Sequence, residues 1–248
     1  MSHDRWLLRP RAAARPRVRL FCLPHAGAGA SVFFPWSREL PEDVDVCAVQ
    51  LPGRESRFGE APLRRMAPLA DGIADAILRH VDGPYAIFGH SMGATVGFEV
   101  VRALRRRGAP APLRLIVAGR RAPHLPTPTP LRYPLPRPEF IAEMQRLGGT
   151  PPAILAEPEL LDLFMGVLRA DFEVLETHAF APEAPLPTPI TIFHGERDAE
   201  VSLAEIEAWA QHTSGGQRLH VFPGGHFFPH QSRALVLGRL LEALDGSL

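Results

Sequence analysis

Short apolar segments alternate with helix-like stretches along the chain, and this alternation limits the possible fold more than any other feature of the sequence. The apolar segments are VRLFCL from Val18, VDVCAV from Val44, YAIFG from Tyr85, LRLIVAG from Leu113, PITIFHG from Pro189 and RLHVFPG from Arg218. The helix-like stretches are Met66 to His80, Met92 to Arg107, Leu203 to Thr213 and Gln231 to Leu244. Strands that are buried on both faces have such compositions, and helical connections favour parallel pairing. The pattern predicts an α/β fold with a mostly parallel central sheet flanked by helices.

The size and charge of the chain are those of an ordinary globular protein. Its 248 residues are 46% hydrophobic, so we expect a single domain over residues 1–248 with one large core. The 27 basic and 27 acidic residues cancel, so we expect neither nucleic acid nor a membrane as a partner. The Arg-rich start lacks the apolar centre of a signal peptide, and no apolar run approaches the roughly 18 residues that span a bilayer. We expect a cytoplasmic protein that begins with a frayed tail rather than a transit peptide.

The basic residues, cysteines and histidines exclude several chemistries. Every basic residue is Arg, which excludes Schiff-base lysine chemistry and the lysine-dependent phosphate loop. Cys22 and Cys47 lie in predicted interior strands, so neither a disulfide nor a zinc site is expected of them. Six other histidines show no metal-ligand spacing along the sequence, and we therefore expect no metal site; they are His25, His90, His178, His194, His220 and His230.

The segment of residues 122–188 is longer than one crossover helix requires. It opens with the proline-dense run APHLPTPTPLRYPLPRP, which excludes helix and central strand because proline lacks an N–H and fixes φ. Two amphipathic helices are predicted to follow, around Glu139–Leu147 and Glu157–Thr177. The insertion either extends the core or forms a helical lid over a substrate channel, since long insertions in compact enzymes are often gates.

The pentapeptide Gly89-His90-Ser91-Met92-Gly93 is the central chemical motif. It is a G-x-S-x-G between a predicted strand and a predicted helix, which is the context of a nucleophile elbow. The two glycines allow the strand and the helix to approach closely around the serine. The motif therefore predicts an α/β-hydrolase fold with Ser91 as its nucleophile.

Two residues late in the chain match the partners that a nucleophilic serine needs. A serine hydroxyl requires a base, usually His, and the base requires an orienting carboxylate, which in this fold precedes the His in the chain. Asp198 and His226 each lie just past a predicted strand, so we expect them to complete a catalytic triad. Asp162 and Asp171 are rival carboxylates in the predicted lid helices, and Glu196 is a minor rival beside Asp198.

Acyl transfer also needs N–H donors that face the developing oxyanion. The backbone N–H of Met92 is one candidate, because it begins the helix after the elbow, where the helix dipole favours negative charge. The second donor is expected in the glycine-rich turn PHAGAGAS after the first predicted strand, and the N–H of Ala26 is the best candidate there. The alternative is that this segment is an ordinary glycine-rich turn.

Seven stretches of the sequence resemble one enzyme family. They are RLFCLPHAGAGAS, QLPGRESRFGE, YAIFGHSMGA, AGRRAP, LRADFEVLE, HGERDAEVS and FPGGHFF, from about Arg19 to Phe228. Together they are similar to the type II thioesterases that accompany nonribosomal peptide and polyketide synthases, and LPGRExR, PHAG and GGHFF are more specific than G-x-S-x-G. Two departures concern only local loop geometry: Ala28 stands where the family often has Gly, and Ala199 where Pro often follows the catalytic Asp.

The resemblance implies an editing serine thioesterase. Such an enzyme removes stalled or aberrant acyl groups from the phosphopantetheine arm of acyl or peptidyl carrier proteins, and it uses no cofactor of its own. The resemblance assigns Ser91 as nucleophile, His226 as base and Asp198 as its orienting acid, with the N–H groups of Ala26 and Met92 as oxyanion donors. It also implies a flexible lid in the insertion.

Three alternatives remain open at this point. A medium-chain fatty acyl thioesterase or a general carboxylesterase would use the same triad, so the triad does not distinguish them. A protein that only binds carrier proteins, without activity, would not need the serine, acid and histidine that this chain retains.

Overall fold

The computed structural model of the protein describes residues 4–150 and 152–246, and these form a seven-stranded sheet with helices on both faces. The strands are β1 (Leu7–Leu8), β2 (Val18–Leu23), β3 (Val44–Val49), β4 (Tyr85–His90), β5 (Arg114–Ala118), β6 (Ile190–Gly195) and β7 (Gln217–Phe222). Their order in the sheet is β1-β3-β2-β4-β5-β6-β7. All neighbours pair in parallel except β1, which is antiparallel to β3. The predicted α/β class with a mostly parallel sheet is confirmed.

The helices are placed by the apolar stripes that they bury against the sheet. They are α1 (Phe34–Glu39), α2 (Met66–His80), α3 (Met92–Arg106), α4 (Arg137–Leu147), α5 (Pro152–Ala156), α6 (Pro158–Glu176), α7 (Leu203–Glu207), α8 (Phe228–Gln231) and α9 (Arg233–Asp245). Short 3₁₀ helices cover Ala30–Phe33, Glu55–Arg57 and Ala208–His212. Within residues 4–150 and 152–246, no helix combines the length and apolarity that crossing a membrane requires.

The side chains of β2 alternate between two cores on opposite faces of the sheet. Phe21 and Leu23 pack with α2 and α3 on one face, and Leu20 and Cys22 pack with α1 and α9 on the other. This alternation follows from the two-residue period of a strand. Cys22 and Cys47 are free and buried, as predicted.

The start of the chain is folded, so the expectation of a frayed tail was wrong for its described residues. Leu7 and Leu8 pair with β3, and the carbonyl oxygen of Trp6 accepts a hydrogen bond of 2.8 Å from the N–H of Gln50. The guanidinium of Arg57 lies 4.2 Å from the centre of the Trp6 ring. A two-residue strand is too short to show a period, so only these tertiary contacts reveal it. Residues 1–3 lie outside the described part of the chain.

The insertion of residues 122–188 contains α4, α5 and α6. The two predicted amphipathic helices are present. The proline-dense run contains neither helix nor strand up to Pro136, but its last residues, Arg137 and Pro138, begin α4 two residues earlier than predicted, because proline is tolerated in the first turn of a helix. Most buried apolar side chains of α4 and α6 form a third cluster, whereas Val174 and Leu175 at the end of α6 belong to a core of the sheet. The cluster comprises Phe140, Met144, Leu161, Met165, Leu168 and Phe172.

Candidate active site

Ser91 lies at the sharp turn between β4 and α3. Its backbone has φ 53° and ψ −113°, a positive φ that residues other than glycine rarely adopt. The turn is held because the N–H of Ser91 donates a hydrogen bond of 2.8 Å to the carbonyl oxygen of Ala118 at the end of β5. This is the strained strand-to-helix turn of a nucleophile elbow.

The glycines on either side of the serine are required by the contact between strand and helix. A Cβ atom on Gly89 would lie 2.1 Å from the carbonyl oxygen of Gly93. A Cβ atom on Gly93 would lie 2.2 Å from the carbonyl oxygen of Leu23. Both clashes involve backbone, which cannot move aside, so the G-x-S-x-G spacing follows from the packing of α3 against β2 and β4.

Two loops at the carboxyl edge of the sheet bring Asp198 and His226 to the serine. Asp198 follows β6 and His226 follows β7, and the carboxyl ends of parallel strands lie at the same edge. The Oγ atom of Ser91 is 2.9 Å from Nε2 of His226, and Nδ1 of His226 is 2.9 Å from Oδ2 of Asp198. The structure therefore brings the three predicted side chains into one hydrogen-bonded chain.

The carboxylate determines which nitrogen of His226 carries the proton. The side chain of Asp198 is fully buried, and its second oxygen accepts a hydrogen bond of 2.9 Å from the N–H of Glu200. An ionised carboxylate only accepts, so Nδ1 of His226 is the donor in their contact and Nε2 has a lone pair for the serine hydroxyl. This is the tautomer that a general base for Ser91 needs.

In the described part of the chain, none of the three rival carboxylates contacts His226. The side chain of Glu196 is 62% exposed and lies 3.6 Å from the guanidinium of Arg197. On α6, Asp162 pairs with Arg137 near the surface and Asp171 makes a buried pair described below.

The two predicted oxyanion donors are free to bind a ligand. The N–H of Met92 belongs to the first turn of α3, and Ala26 lies in the loop after β2. Among the described residues, no backbone or side-chain oxygen accepts a hydrogen bond from either N–H. The next N–H in the loop, that of Gly27, is already used by Asp171.

The segment after β3 holds the glycine-rich loop that contains Ala26. The guanidinium of Arg54 donates a hydrogen bond of 3.2 Å to the carbonyl oxygen of Ala28. The carboxylate of Glu55 accepts a hydrogen bond of 2.5 Å from the hydroxyl of Ser31. The LPGRE motif therefore positions the loop and is not itself part of the hydrogen-bonded chain of Ser91, His226 and Asp198.

A buried ion pair connects this loop to α6. Asp171 accepts hydrogen bonds of 2.6 and 2.8 Å from the guanidinium of Arg54, and one of 2.7 Å from the N–H of Gly27. The side chains of Arg54 and Asp171 are 7% and 2% exposed. The sequence presents Asp171 only as a rival to Asp198. One signal for this pair was present in the sequence. Both residues fall within stretches that resemble the type II thioesterases, QLPGRESRFGE and LRADFEVLE.

A largely apolar cavity adjoins Ser91 and His226. Arg120, Arg121, Arg132 and Glu200 form its polar side. Burial lowers the pKa of Arg120 to about 10, so its guanidinium stays charged at neutral pH. The apolar side comes from α4 and α6, with Met144, Leu147, Phe164, Leu168, Phe172 and Leu175.

Comparisons with known proteins give the family. A family model described as the Thioesterase domain matches residues 18–248. Thioesterase PikA5 from Streptomyces venezuelae is 42% identical over 224 residues, which are 90% of this chain and 79% of that protein. Gramicidin S biosynthesis protein GrsT from Aneurinibacillus migulanus is 36% identical over 230 residues, which are 93% of this chain and 90% of that protein.

A solved structure agrees with these matches. The type II thioesterase BorB from the borrelidin biosynthetic cluster superposes with a TM-score of 0.87 at 33% identity, covering 99% of this chain and 98% of BorB. The resemblance to type II thioesterases and the α/β-hydrolase fold that the motifs predicted are both confirmed. This chain therefore belongs to the thioesterase domain family and is a hydrolase that acts on thioesters.

Proposed function

We propose that the protein is an editing thioesterase of nonribosomal peptide or polyketide biosynthesis. It removes aberrant or stalled acyl groups from the phosphopantetheine arm of acyl or peptidyl carrier proteins, through an acyl-Ser91 intermediate. The hydrogen-bonded chain of Ser91, His226 and Asp198 beside an apolar cavity carries the proposal. The similarity to proteins of gramicidin S and borrelidin biosynthesis supports a carrier-bound substrate.

In the first step the acyl group moves from sulfur to the enzyme. Oγ of Ser91 attacks the thioester carbonyl carbon while Nε2 of His226 takes its proton, and Asp198 stabilises the imidazolium. The N–H groups of Ala26 and Met92 donate to the carbonyl oxygen as it becomes negative. The carbon–sulfur bond then breaks and the thiol leaves with the proton from His226. A thiol with a pKa of about 8.5 departs readily, so little acid catalysis is needed.

In the second step water releases the acid. Nε2 of His226 takes a proton from water as the water oxygen attacks the carbonyl carbon of acyl-Ser91. The same two N–H groups stabilise the oxyanion, and the ester bond to Oγ breaks as the proton returns to Ser91. The products are the free carboxylic acid and the regenerated hydroxyl.

The insertion is proposed to act as a lid within a single domain of residues 1–248. Its helices α4 and α6 supply the apolar wall of the cavity, while Ser91 and His226 lie on the sheet side. The buried side chains of α4, Phe140 and Met144, belong to a cluster separate from the cores of the sheet, so α4 can shift without opening those cores. The last turn of α6 stays in place, because Val174 and Leu175 belong to a core of the sheet. An apolar wall of this kind accepts varied acyl chains, because apolar contacts are not directional.

The substrate class is tested by presenting one acyl group in three forms. These are the carrier-bound phosphopantetheine thioester, the N-acetylcysteamine thioester and the p-nitrophenyl ester. We expect the highest kcat/KM for the carrier-bound form, because carrier contacts add binding energy that small substrates lack. Equal or faster hydrolysis of the oxygen ester would contradict the proposal and favour a general carboxylesterase. A preference for medium-chain acyl groups irrespective of the carrier would favour a fatty acyl thioesterase.

Labelling with a fluorophosphonate separates an enzyme from a carrier-binding protein without activity. The reagent phosphonylates an activated serine and not an ordinary hydroxyl. We expect one adduct per chain, on Ser91, found by mass spectrometry of the digested protein. A protein that stays unlabelled while it still binds carrier proteins would support the inactive alternative.

A further inference from the structure

Three histidine rings from separate parts of the sequence meet behind the active site. His25 follows β2, His90 ends β4 and His230 lies in α8. One ring nitrogen of each lies within 4.8 Å of the others. The ring centres are 5.1 Å apart for His25 and His90, 5.5 Å for His25 and His230, and 5.8 Å for His90 and His230.

Hydrogen bonding determines the tautomer of His90. Its Nε2 lies 2.9 Å from the backbone carbonyl oxygen of His226. A carbonyl oxygen only accepts, so Nε2 carries the proton and Nδ1 is left with a lone pair. The residue is 1% exposed, and within residues 4–150 and 152–246 Nδ1 has no hydrogen-bond partner. A buried acceptor without a donor is unfavourable, so this nitrogen is available to a ligand.

The other two histidines also have a buried ring nitrogen without a hydrogen-bond partner. Nδ1 of His25 and Nε2 of His230 are buried and, among the described residues, have no partner. A neutral imidazole presents one ring nitrogen with a lone pair, and that nitrogen is the atom that binds a metal ion.

We propose that His25, His90 and His230 form a binding site for a divalent transition-metal ion such as Zn²⁺. Imidazole nitrogen is a preferred ligand of these ions. A metal-bound histidine usually donates its other ring N–H to a carbonyl or carboxylate, as His90 does to the carbonyl oxygen of His226. Three histidines complete a tetrahedral site with one water molecule.

The rings are close to binding geometry but not within it. Zn–N bonds of about 2.0–2.1 Å place tetrahedral ligand nitrogens about 3.4 Å apart, so nitrogens that lie within 4.8 Å of one another must approach by at most about 1.4 Å. Rotation of the His25 and His230 side chains can provide this, since both residues are partly exposed. The bound ion would join the loop of Ala26, the elbow of Ser91 and the loop of His226. No step of the proposed hydrolysis uses it.

Titration of the metal-free protein with ZnCl₂ tests the proposal. We expect one Zn²⁺ per chain by calorimetry, with a rise in Tm, because a ligand that binds the folded state stabilises it. His230→Gln should weaken the affinity at least tenfold, and His230 takes no part in hydrolysis. His220→Gln is the matched control and should bind as the wild type does, because His220 lies on β7 against Phe193.

Cobalt gives a second readout on the unchanged protein. Co²⁺ bound to three histidines in tetrahedral geometry should give visible absorption bands that excess Zn²⁺ removes. No stoichiometric binding, no such bands, or equal binding by His230→Gln would overturn the proposal. The last result would place the ion elsewhere, for example at His124 and His212, whose ring nitrogens are 2.7 Å apart. These measurements need no substrate, so they do not depend on the role of Ser91.

Discussion

At the scale of single residues, strained backbone conformations occur at the proposed nucleophile and in the segment that holds the loop of Ala26. Among the described residues other than glycine, positive φ occurs at Ser91 and Glu55. Such conformations cost about 1–3 kcal/mol and persist only where the surroundings impose them. Ser91 is held by the β5 carbonyl oxygen of Ala118, and Glu55 by its hydrogen bonds to Ser31. The G-x-S-x-G motif predicted the first of these two positions, whereas no local signal marked the second.

Replacement of Ser91 with Ala removes the proposed nucleophile. We expect thioester hydrolysis to fall to the background rate, since His226 alone cannot form the acyl-enzyme, and Tm to change little, since Ala meets the same backbone cost as Ser. Steady-state hydrolysis and thermal unfolding measure the two effects. Ser214→Ala, in the turn before β7, is the control and should keep the wild-type rate. More than a trace of activity in Ser91→Ala would contradict the assignment.

Asp198 and Glu196 form a matched pair of neighbouring carboxylates. Asp198→Asn should lower kcat by on the order of 10⁴-fold, because an amide no longer holds His226 in the tautomer that accepts from the serine. Glu196→Gln should keep the wild-type kcat, since the Glu196 side chain is largely exposed and does not contact His226. If Glu196→Gln were the slower variant, the assignment of the orienting acid would be wrong.

At the scale of helices and strands, the period of the apolar residues and the residues that flank each run predicted the positions of most elements. The six long strands and the helices α2, α3, α4 and α6 lie where the pattern predicted them. The strands β2 to β6 are buried almost throughout, whereas β7, at the edge of the sheet, buries Phe222 and leaves most of its other side chains exposed or half-buried. The predicted helix over Leu203–Thr213 is α7 followed by a 3₁₀ helix, and the one over Gln231–Leu244 is interrupted at Ser232. The short helix α1 has too few residues to show a period and was not predicted.

The buried pair of Arg54 and Asp171 predicts that replacement of Asp171, which lies on α6, strongly lowers stability and turnover. Asp171→Asn leaves the buried guanidinium without its counter-charge, so we expect the free energy of unfolding to fall by about 3–5 kcal/mol. The loop of Ala26 also loses its anchor, so kcat should fall with little change in KM. Urea unfolding and steady-state kinetics measure both.

Asp162 on the same helix is the control for that prediction. Its pair with Arg137 is solvent-exposed, so Asp162→Asn should change stability and kcat far less. Equal effects of the two substitutions would show that the buried pair has no special role in holding the loop.

The proposed lid predicts unequal amide exchange among the helices. α3 is buried along most of its length, whereas α4 buries Phe140 and Met144 alone among its 11 residues. We expect amide hydrogens of α4 to exchange faster than those of α3, and to become more protected when an acyl-phosphonate occupies Ser91. Hydrogen exchange with mass spectrometry measures this, with α3 as the internal reference. Uniform protection with no response to the inhibitor would contradict a lid.

At the scale of the whole molecule, the sequence patterns did not predict the contacts between residues that are far apart in the chain. The triad was predictable because chain order and strand ends place its members at one edge of the sheet. The contact of Arg54 with Asp171 joins positions 117 residues apart, and the cluster of His25, His90 and His230 comes from the loop after β2, the end of β4 and α8. Spacing along the chain carries no information on either, since the fold alone brings these residues together.

Buried neutral histidines make the stability of the molecule depend on pH. Burial lowers the pKa of His90 well below its usual value and that of His212 to about 4. Below pH 6.5 the unfolded chain binds protons that the folded chain does not, so stability falls as pH falls. We expect each such histidine to lower the free energy of unfolding by up to about 1.4 kcal/mol per pH unit below its unfolded pKa.

Urea unfolding at pH 7.5, 6.5 and 5.5 measures this dependence. This window lies above the usual pKa of carboxylates, so histidines dominate the change. His212→Gln should show a shallower slope than the wild type, because one buried titrating group is removed. Equal stability at the three pH values would contradict the prediction.

Helix α6 has two structural roles. Its side chains Phe164, Leu168 and Phe172 line the cavity, and Asp171 anchors the loop of Ala26. Changes in acyl preference and changes in turnover are therefore not independent during evolution or engineering. We expect a substitution that enlarges the cavity from α6 also to shift the loop of Ala26, whose N–H is a proposed oxyanion donor. Redesign of substrate range is better begun at Met144 and Leu147 of α4, which line the same cavity without a contact to that anchor among the described residues.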